Sequence, residues 1–321
     1  MARDAASLSA IRASARLANG FALDLVKLGG FGRDVIDGLL LTAISQANVT
    51  LITRSPELQA RYATLDQAPP DDLRRPVSLS ALSNSLRIPF ETVRRRVTAL
   101  ADLGIVRIQP RGVILPSAPL SSPLYRMMAE AHYNLVRSLY VRLRAIGLLE
   151  HLQRTGEPAF ETQNPPMRLV NRLSAEYLLR LAEPISREVG DVVTGLILMD
   201  IIQANTQHLP DGDAGSDADG WSPDGFVPDE QRKGVRAATL SERLGIAPET
   251  VRRHLARLAE RDLCERKGDG FVVPARVLAR ELFVQYMLDN QSHVHRLCSA
   301  LADFGVLPLW EREILSLKGA A

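Results

Sequence analysis

A mostly helical chain of two similar halves, each carrying a small two-stranded β-hairpin, is the architecture this sequence predicts. Three observations carry that expectation. The pentapeptide Glu-Thr-Val-Arg-Arg occurs at residues 91–95 and again at 249–253, and at that offset of 158 residues 82–116 lie over 240–274 without a gap and with thirteen identities. The 321 residues are 46% apolar but only 5% aromatic, which suits an aliphatic, helix-rich interior. After each copy of the pentapeptide, helical spacing gives way to two short apolar runs around a turn, the signature of a hairpin.

The repeat reaches beyond the motif. Asp34-Val35-Ile36-Asp37-Gly38-Leu39 matches Asp191-Val192-Val193-Thr194-Gly195-Leu196, and Gln46-Ala47-Asn48 matches Gln203-Ala204-Asn205. Arg16-Leu17 aligns with Arg172-Leu173, and Gly147 with Gly305. Two halves, 1–156 and 157–321, are therefore expected, related by tandem repetition. The period is far longer than a solenoid repeat, so each half is a domain-sized unit.

The elements follow in order. Residues 7–28 have helical aliphatic spacing, broken by Gly29-Gly30-Phe31-Gly32. Residues 34–52 read as a helix apolar on most sides, hence buried. Residues 55–77, with Pro56, Pro69, Pro70 and Pro76, form a loop or short helices. Ser78 caps a helix over 79–86, Arg87-Ile88 make a turn, and a second helix runs from Pro89 to 103 with proline tolerated at its start. Strands at 105–108 and 113–115 flank a turn, and a long helix over 122–149 closes the half. The second half repeats this order: helices over 167–206, a loop, a helix at 240–244, a turn at Gly245-Ile246, a helix over 248–261, a hairpin over 263–273 and a helix over 276–304. Residues 209–230 hold seven acids and no Lys or Arg, and 209–232 are expected to be a flexible acidic loop. They lack the terminal Glu and flanking helices of a calcium loop.

On the helix from Pro89, Phe90, Val93, Val97 and Leu100 share one stripe and are expected to face the core. Glu91, Thr92, Arg95 and Ala99 then face outward, with Arg94 and Arg96 on the flanks. In the second copy Val251, Leu255 and Leu258 face inward, Glu249, Thr250, Arg253 and Arg257 outward, with Arg252 and His254 flanking. The net charge is only +2, yet omitting the acidic segment would leave +9, and residues 87–111 alone hold six arginines against two acids. Cations concentrated on a repeated exposed helix fit a phosphate-facing surface. Glu91 and Glu249 would repel phosphate. They serve either as favourable charges at a helix N-terminus or as acceptors for cytosine N4 and orienters of an arginine. Arg107 and Arg111 in one hairpin, and Arg266 and Lys267 in the other, are candidates for backbone contacts. The halves also differ: Arg87 stands where the other turn has Gly245, so the first turn is either strained or different.

This order of short helix, turn, second helix and two-stranded wing resembles the winged helix-turn-helix of bacterial transcription regulators. Residues 240–255, Leu-Ser-Glu-Arg-Leu-Gly-Ile-Ala-Pro-Glu-Thr-Val-Arg-Arg-His-Leu, look like the GntR, IclR and MarR groups, and the flanking long helices are closest in layout to MarR. The winged units are placed at about 76–118 and 235–275. The resemblance implies a single-chain pseudo-dimer whose long helices form the joint core and whose two recognition helices enter successive major grooves about 34 Å apart. Its expected role is sequence-specific binding of double-stranded DNA at a pseudo-palindromic site, as a cytoplasmic transcription regulator. The MarR layout also implies a pocket between the long helices, leaving a small-molecule effector open as a partner, along with further self-association. A plasmid-type replication initiator and a winged-helix protein-interaction adaptor are the alternatives. No phosphate-binding glycine loop, Cys-x-x-Cys or His-Glu-x-x-His motif is present, so no enzyme, cofactor or metal is expected. No run is apolar enough to span a membrane. Cys264 and Cys298 are expected to be inert buried thiols.

Overall fold

The computed structural model of the chain describes residues 7–30, 32–152, 154 and 157–319, with side chains to 316. Phe31, in the expected break after the first helix, and the boundary between the expected halves at 155–156 lie outside the described residues.

The chain is mostly helical with two small antiparallel hairpins. α1 (Leu8–Gly29) is followed by α2 (Val35–Asn48), whose N-cap Asp34 accepts from the amides of Ile36 and Asp37. The proline-rich stretch holds two short helices, α3 (Thr50–Thr53) and α4 (Pro56–Arg61), and a 3-10 turn at Asp71–Leu73. Ser78 caps α5 (Leu79–Leu86) through its hydroxyl, as its position predicts. Then come α6 (Phe90–Asp102), strands β1 (Arg107–Gln109) and β2 (Gly112–Ile114), and α7 (Pro123–Ala145). The second half runs α8 (Met167–Val189), α9 (Val192–Thr206), α10 (Ala237–Leu244), α11 (Pro248–Glu260), β3 (Glu265–Lys267), β4 (Gly270–Val272), α12 (Ala275–Leu278) and α13 (Glu281–Asp303). A last helix, α14 (Val306–Gly319), follows, which sequence patterning did not anticipate.

At the sequence offset of 158, α5 falls on α10, α6 on α11, β1 on β3, β2 on β4 and α7 on α13, each from first residue to last. The correspondence extends to individual bonds. Buried Asn48 donates to the carbonyls of Arg75 and Val113 and accepts from the amide of Leu115. Asn205 does the same to Lys233, Phe271 and Val273. Each asparagine therefore clips the end of its helix to the hairpin and to the strand-like residue before the next helix. Val77 bridges Val113 and Val235 bridges Phe271, adding a third edge to each hairpin that the sequence reading missed.

The long helices pack as one body. α1 lies against α2, α7, α9 and α13, and α8 against α7, α9 and α13, so helices of the two halves share one apolar core. α14 returns across to the first half: Trp310, fully buried, donates through Nε1 to the Tyr133 hydroxyl at 2.6 Å and stacks edge-on against that ring. Glu311 and Glu313 of α14 pair with Arg144 and Arg137 of α7.

Two expectations are corrected. The acidic segment 209–232 is not a loose loop but a strap laid over α1, with Ala214, Phe226 and Val227 buried. Arg12 and Arg16 of α1 donate to its carbonyls at Ser216 and Asp213, and Arg142 of α7 chelates Asp211. Its charge is matched by these arginines, which is why an acidic, glycine-rich stretch can pack. Phe90 is 43% exposed rather than in the core. It is the first residue of α6, a full turn before Val93 reaches the apolar interior. Among the described residues no helix is long and apolar enough to cross a membrane.

Candidate nucleic-acid interface

Each candidate recognition helix is set by the turn before it. Ser83 and Ser241 hold those turns by donating from Oγ to the carbonyls of Ile88 and Ile246. Gly245 sits in the left-handed region at φ 64°, and Arg87 adopts the same conformation at φ 52°. The first turn therefore keeps the shape of the second at a backbone cost of about 1–2 kcal/mol for a residue with a side chain. Glycine at 245 has a further reason: a Cβ there would meet Asp34 Cα at 3.1 Å. The turn of the second half thus rests on the N-cap residue of α2 in the other half.

The inner faces of α6 and α11 are Val93, Val97 and Leu100, and Val251, Leu255 and Leu258, all buried as the spacing predicts. On the outer face Glu91 pairs with Arg94 at 2.8 Å and Glu249 with Arg252 at 2.7 Å. The two acids therefore hold the arginine one turn ahead. Arg95 and Arg253, the next positions, are exposed and have no hydrogen-bond or ion-pair partner among the described residues. Thr92 and Thr250 are half-buried beside them. Arg257 is exposed and lies 3.7 Å from Asp191.

Two expected contact residues face inward instead. Arg96 pairs with Asp34 and Asp37 of α2, each at 2.7 Å. Burial opposes its charge, but these two carboxylates outweigh it and raise its pKa. His254 is buried, with Nδ1 2.7 Å from the Thr194 hydroxyl, which itself bonds the N-cap Asp191 at 2.8 Å. With Thr194 donating to Asp191, the histidine donates from Nδ1 as a neutral ring, and burial lowers its pKa. Arg96 and His254 occupy the same place in the two halves, as do their partners Asp37 and Thr194. One contact is built from a charged pair in the first half and from a neutral pair in the second. Helical position alone put both residues on the flank. The missing signal was the partner: residues 37 and 194 changed character together with 96 and 254.

The hairpins are similarly divided. Arg111 is exposed and unpartnered among the described residues, and Arg266 is exposed with its guanidinium 5.4 Å above Phe271. Arg107 is exposed but bonded to Asp71 at 2.6 Å. Lys267 is committed to the fold: its ammonium donates to the carbonyls of Asp229 at 2.6 Å and Arg232 at 2.9 Å, closing the hairpin onto a second 3-10 turn at Asp229–Gln231. It is removed from the set of free cations. Cys264 and Cys298 are buried, with burial pushing their thiols up to about 11 and about 12, which leaves them unreactive. Among the described residues no cluster of His, Cys, Asp or Glu could hold a metal ion. The chain matches no protein-family model, no curated protein and no solved structure.

Proposed function

We propose that this chain binds duplex DNA sequence-specifically and regulates transcription, with its two helix–turn–helix–hairpin units acting as winged helix-turn-helix heads of a single-chain pseudo-dimer. One observation carries the reading. Arg95 and Arg253 stand at equivalent places on equivalent helices, exposed and unpartnered, beside arginines already held by an acid. An unpaired guanidinium on an exposed helix face can bond guanine O6 and N7 in a bidentate manner, worth about 1–3 kcal/mol of discrimination for each. Arg94, Arg111, Arg252, Arg257 and Arg266 surround it as phosphate-facing cations, and Arg96 and His254 fix the angle at which each helix is presented.

The test is selection of duplexes from a random library, followed by binding titrations on the selected sequence over a range of salt. The parent is expected to lose affinity steeply with salt. The double variant Arg95→Ala, Arg253→Ala is expected to lose sequence preference while its melting temperature stays put, since both side chains are solvated. A double variant that prefers the selected duplex as strongly as the parent would overturn the assignment.

A further inference from the structure

The fold carries two matching buried basic clusters, each built from both halves, and only one of them has room beside it. Arg74 of the first half, with Arg168 and Arg172 of the second, lines a cavity of about 700 Å³ between α1, α2, α7 and α8. The residues at the matching places, Arg232 of the second half with Arg12 and Arg16 of the first, line a remnant of about 60 Å³. The open space is of the size that encloses a small organic ligand.

The cluster beside the open cavity is poorly compensated. Arg74, Arg168 and Arg172 are 5%, 4% and 7% exposed. Arg172 donates to the carbonyls of Tyr62 and Gln59, Arg168 to that of Leu120 and Arg74 to that of Pro69. The Nε of each makes no hydrogen bond, as is also true of Arg12 and Arg232 in the matching cluster, and here the Oδ1 of neighbouring Asn171 is without a partner as well. Among the described residues Asp71 is the one carboxylate paired with them, 3.4 Å from Arg74, and it is shared with Arg107 and the amide of Ser117. Burial lowers the pKa of Arg172 to about 10, as it does that of Arg232 in the matching cluster, and burial with the neighbouring Arg168 charge lowers that of Arg74. Buried cations faced mainly by carbonyls are costly unless something anionic joins them.

The matching cluster displays what joins them. The strap brings Asp211, Asp213, Asp217 and Asp219 into the field of Arg12 and Arg16. Its carbonyls at Ser216 and Gly220 accept from Arg12, and those at Asp213 and Pro210 from Arg16. Trp221 and Phe226 stack on the Arg12 guanidinium at 5.1 and 4.9 Å. So the chain itself supplies negative charge and flat apolar groups to this arginine pair. The corresponding stretch of the first half passes by as α3 and α4, gives its cluster carbonyls and the single carboxylate of Asp71, and leaves the space beside it open. At its mouth Leu103 and Leu124 stand 59% and 54% exposed, and Tyr125 lies 4.9 Å from Arg168.

We propose that the open cavity binds a small amphiphilic organic anion, its acid group against Arg168 and Arg172 and its apolar body directed toward Tyr125, Leu124 and Leu103. The strap is the covalent counterpart of that ligand at the matching cluster. The site stands independently of the DNA reading, because occupancy is measured on the chain alone.

Calorimetric titration of the full chain with 1-naphthoate, dodecanoate and the neutral isostere 1-naphthamide tests it. At least one anion is expected to bind at one equivalent per chain, about tenfold or more tighter than the amide. Arg168→Met is expected to weaken binding about tenfold. Ser45→Trp, which fills the cavity from the α2 wall, is expected to abolish binding without changing far-ultraviolet dichroism. Should Arg168→Met fail to fold, the Ser45→Trp variant and the acid–amide comparison decide. Binding of neither anion at millimolar concentration, equal binding of acid and amide, two equivalents per chain, or unchanged binding to Ser45→Trp would each overturn the site.

Discussion

Arg96 and His254 show how much of this molecule is settled by single side chains. Both dock an exposed helix onto the N-terminus of the helix behind it, one as an ion and one as a neutral ring. The neutral solution carries a pH signature. His254 is depressed below its ordinary value by burial, with help from Arg257 and Arg253 and opposition from Asp191. His132, packed between α7 and α8 with Nε2 2.7 Å from the Ser174 hydroxyl, is lowered by burial to about 3. In the unfolded chain both accept protons near pH 6.5, so the unfolded state gains protons that the folded state refuses. Stability is then expected to fall as pH drops from about 6.5 toward 5, by up to about 1.4 kcal/mol per pH unit for each histidine. Melting temperatures across that window check it, and a flat profile would show that the rings are protonated in place. Arg87 supplies a second residue-scale prediction. Its left-handed backbone suits glycine, so Arg87→Gly is expected to raise stability by about 1 kcal/mol in chemical denaturation, while a loss would mean the guanidinium has a role in the fold.

At the scale of elements, the clip made by Asn48 and Asn205 explains why each hairpin keeps its place. Asn205→Ala would strand the carbonyl of Lys233 and the amide of Val273, while Phe271 keeps its bond from the Val235 amide, at a cost of about 3 kcal/mol. Urea unfolding reads this, and a change below about 1 kcal/mol would remove the clip from the account. Elements were legible in the sequence wherever local chemistry decided them. Ser78 marked the start of α5, Pro248 that of α11, and the aliphatic stripe of α6 gave its inner face from Val93 onward. What was not legible depended on distant partners. The edge at Val77 exists only because β2 lies beside it, and the strap packs only because Arg12, Arg16 and Arg142 come from other helices. Of the candidate interface, residues free of partners were readable from helical position. Those captured by the fold (Arg96, His254 and Lys267) were not.

At the scale of the whole molecule, α14 ties the end of the chain to the first half through Trp310. Trp310→Ala would empty a fully buried site and leave the Tyr133 hydroxyl without its donor, an expected loss of about 3–5 kcal/mol. Thermal unfolding that stays a single lowered transition would agree with one shared core, whereas a separate early transition would mark α14 as an accessory. The strap has a consequence of a different kind. Two identical chains paired by symmetry must fill matching chambers alike, so any segment occupying one would occupy both. A covalent pair escapes that constraint. With one chamber permanently stoppered by its own peptide, titration should follow a simple hyperbola with a Hill coefficient of one. Whatever response follows would be graded rather than switch-like.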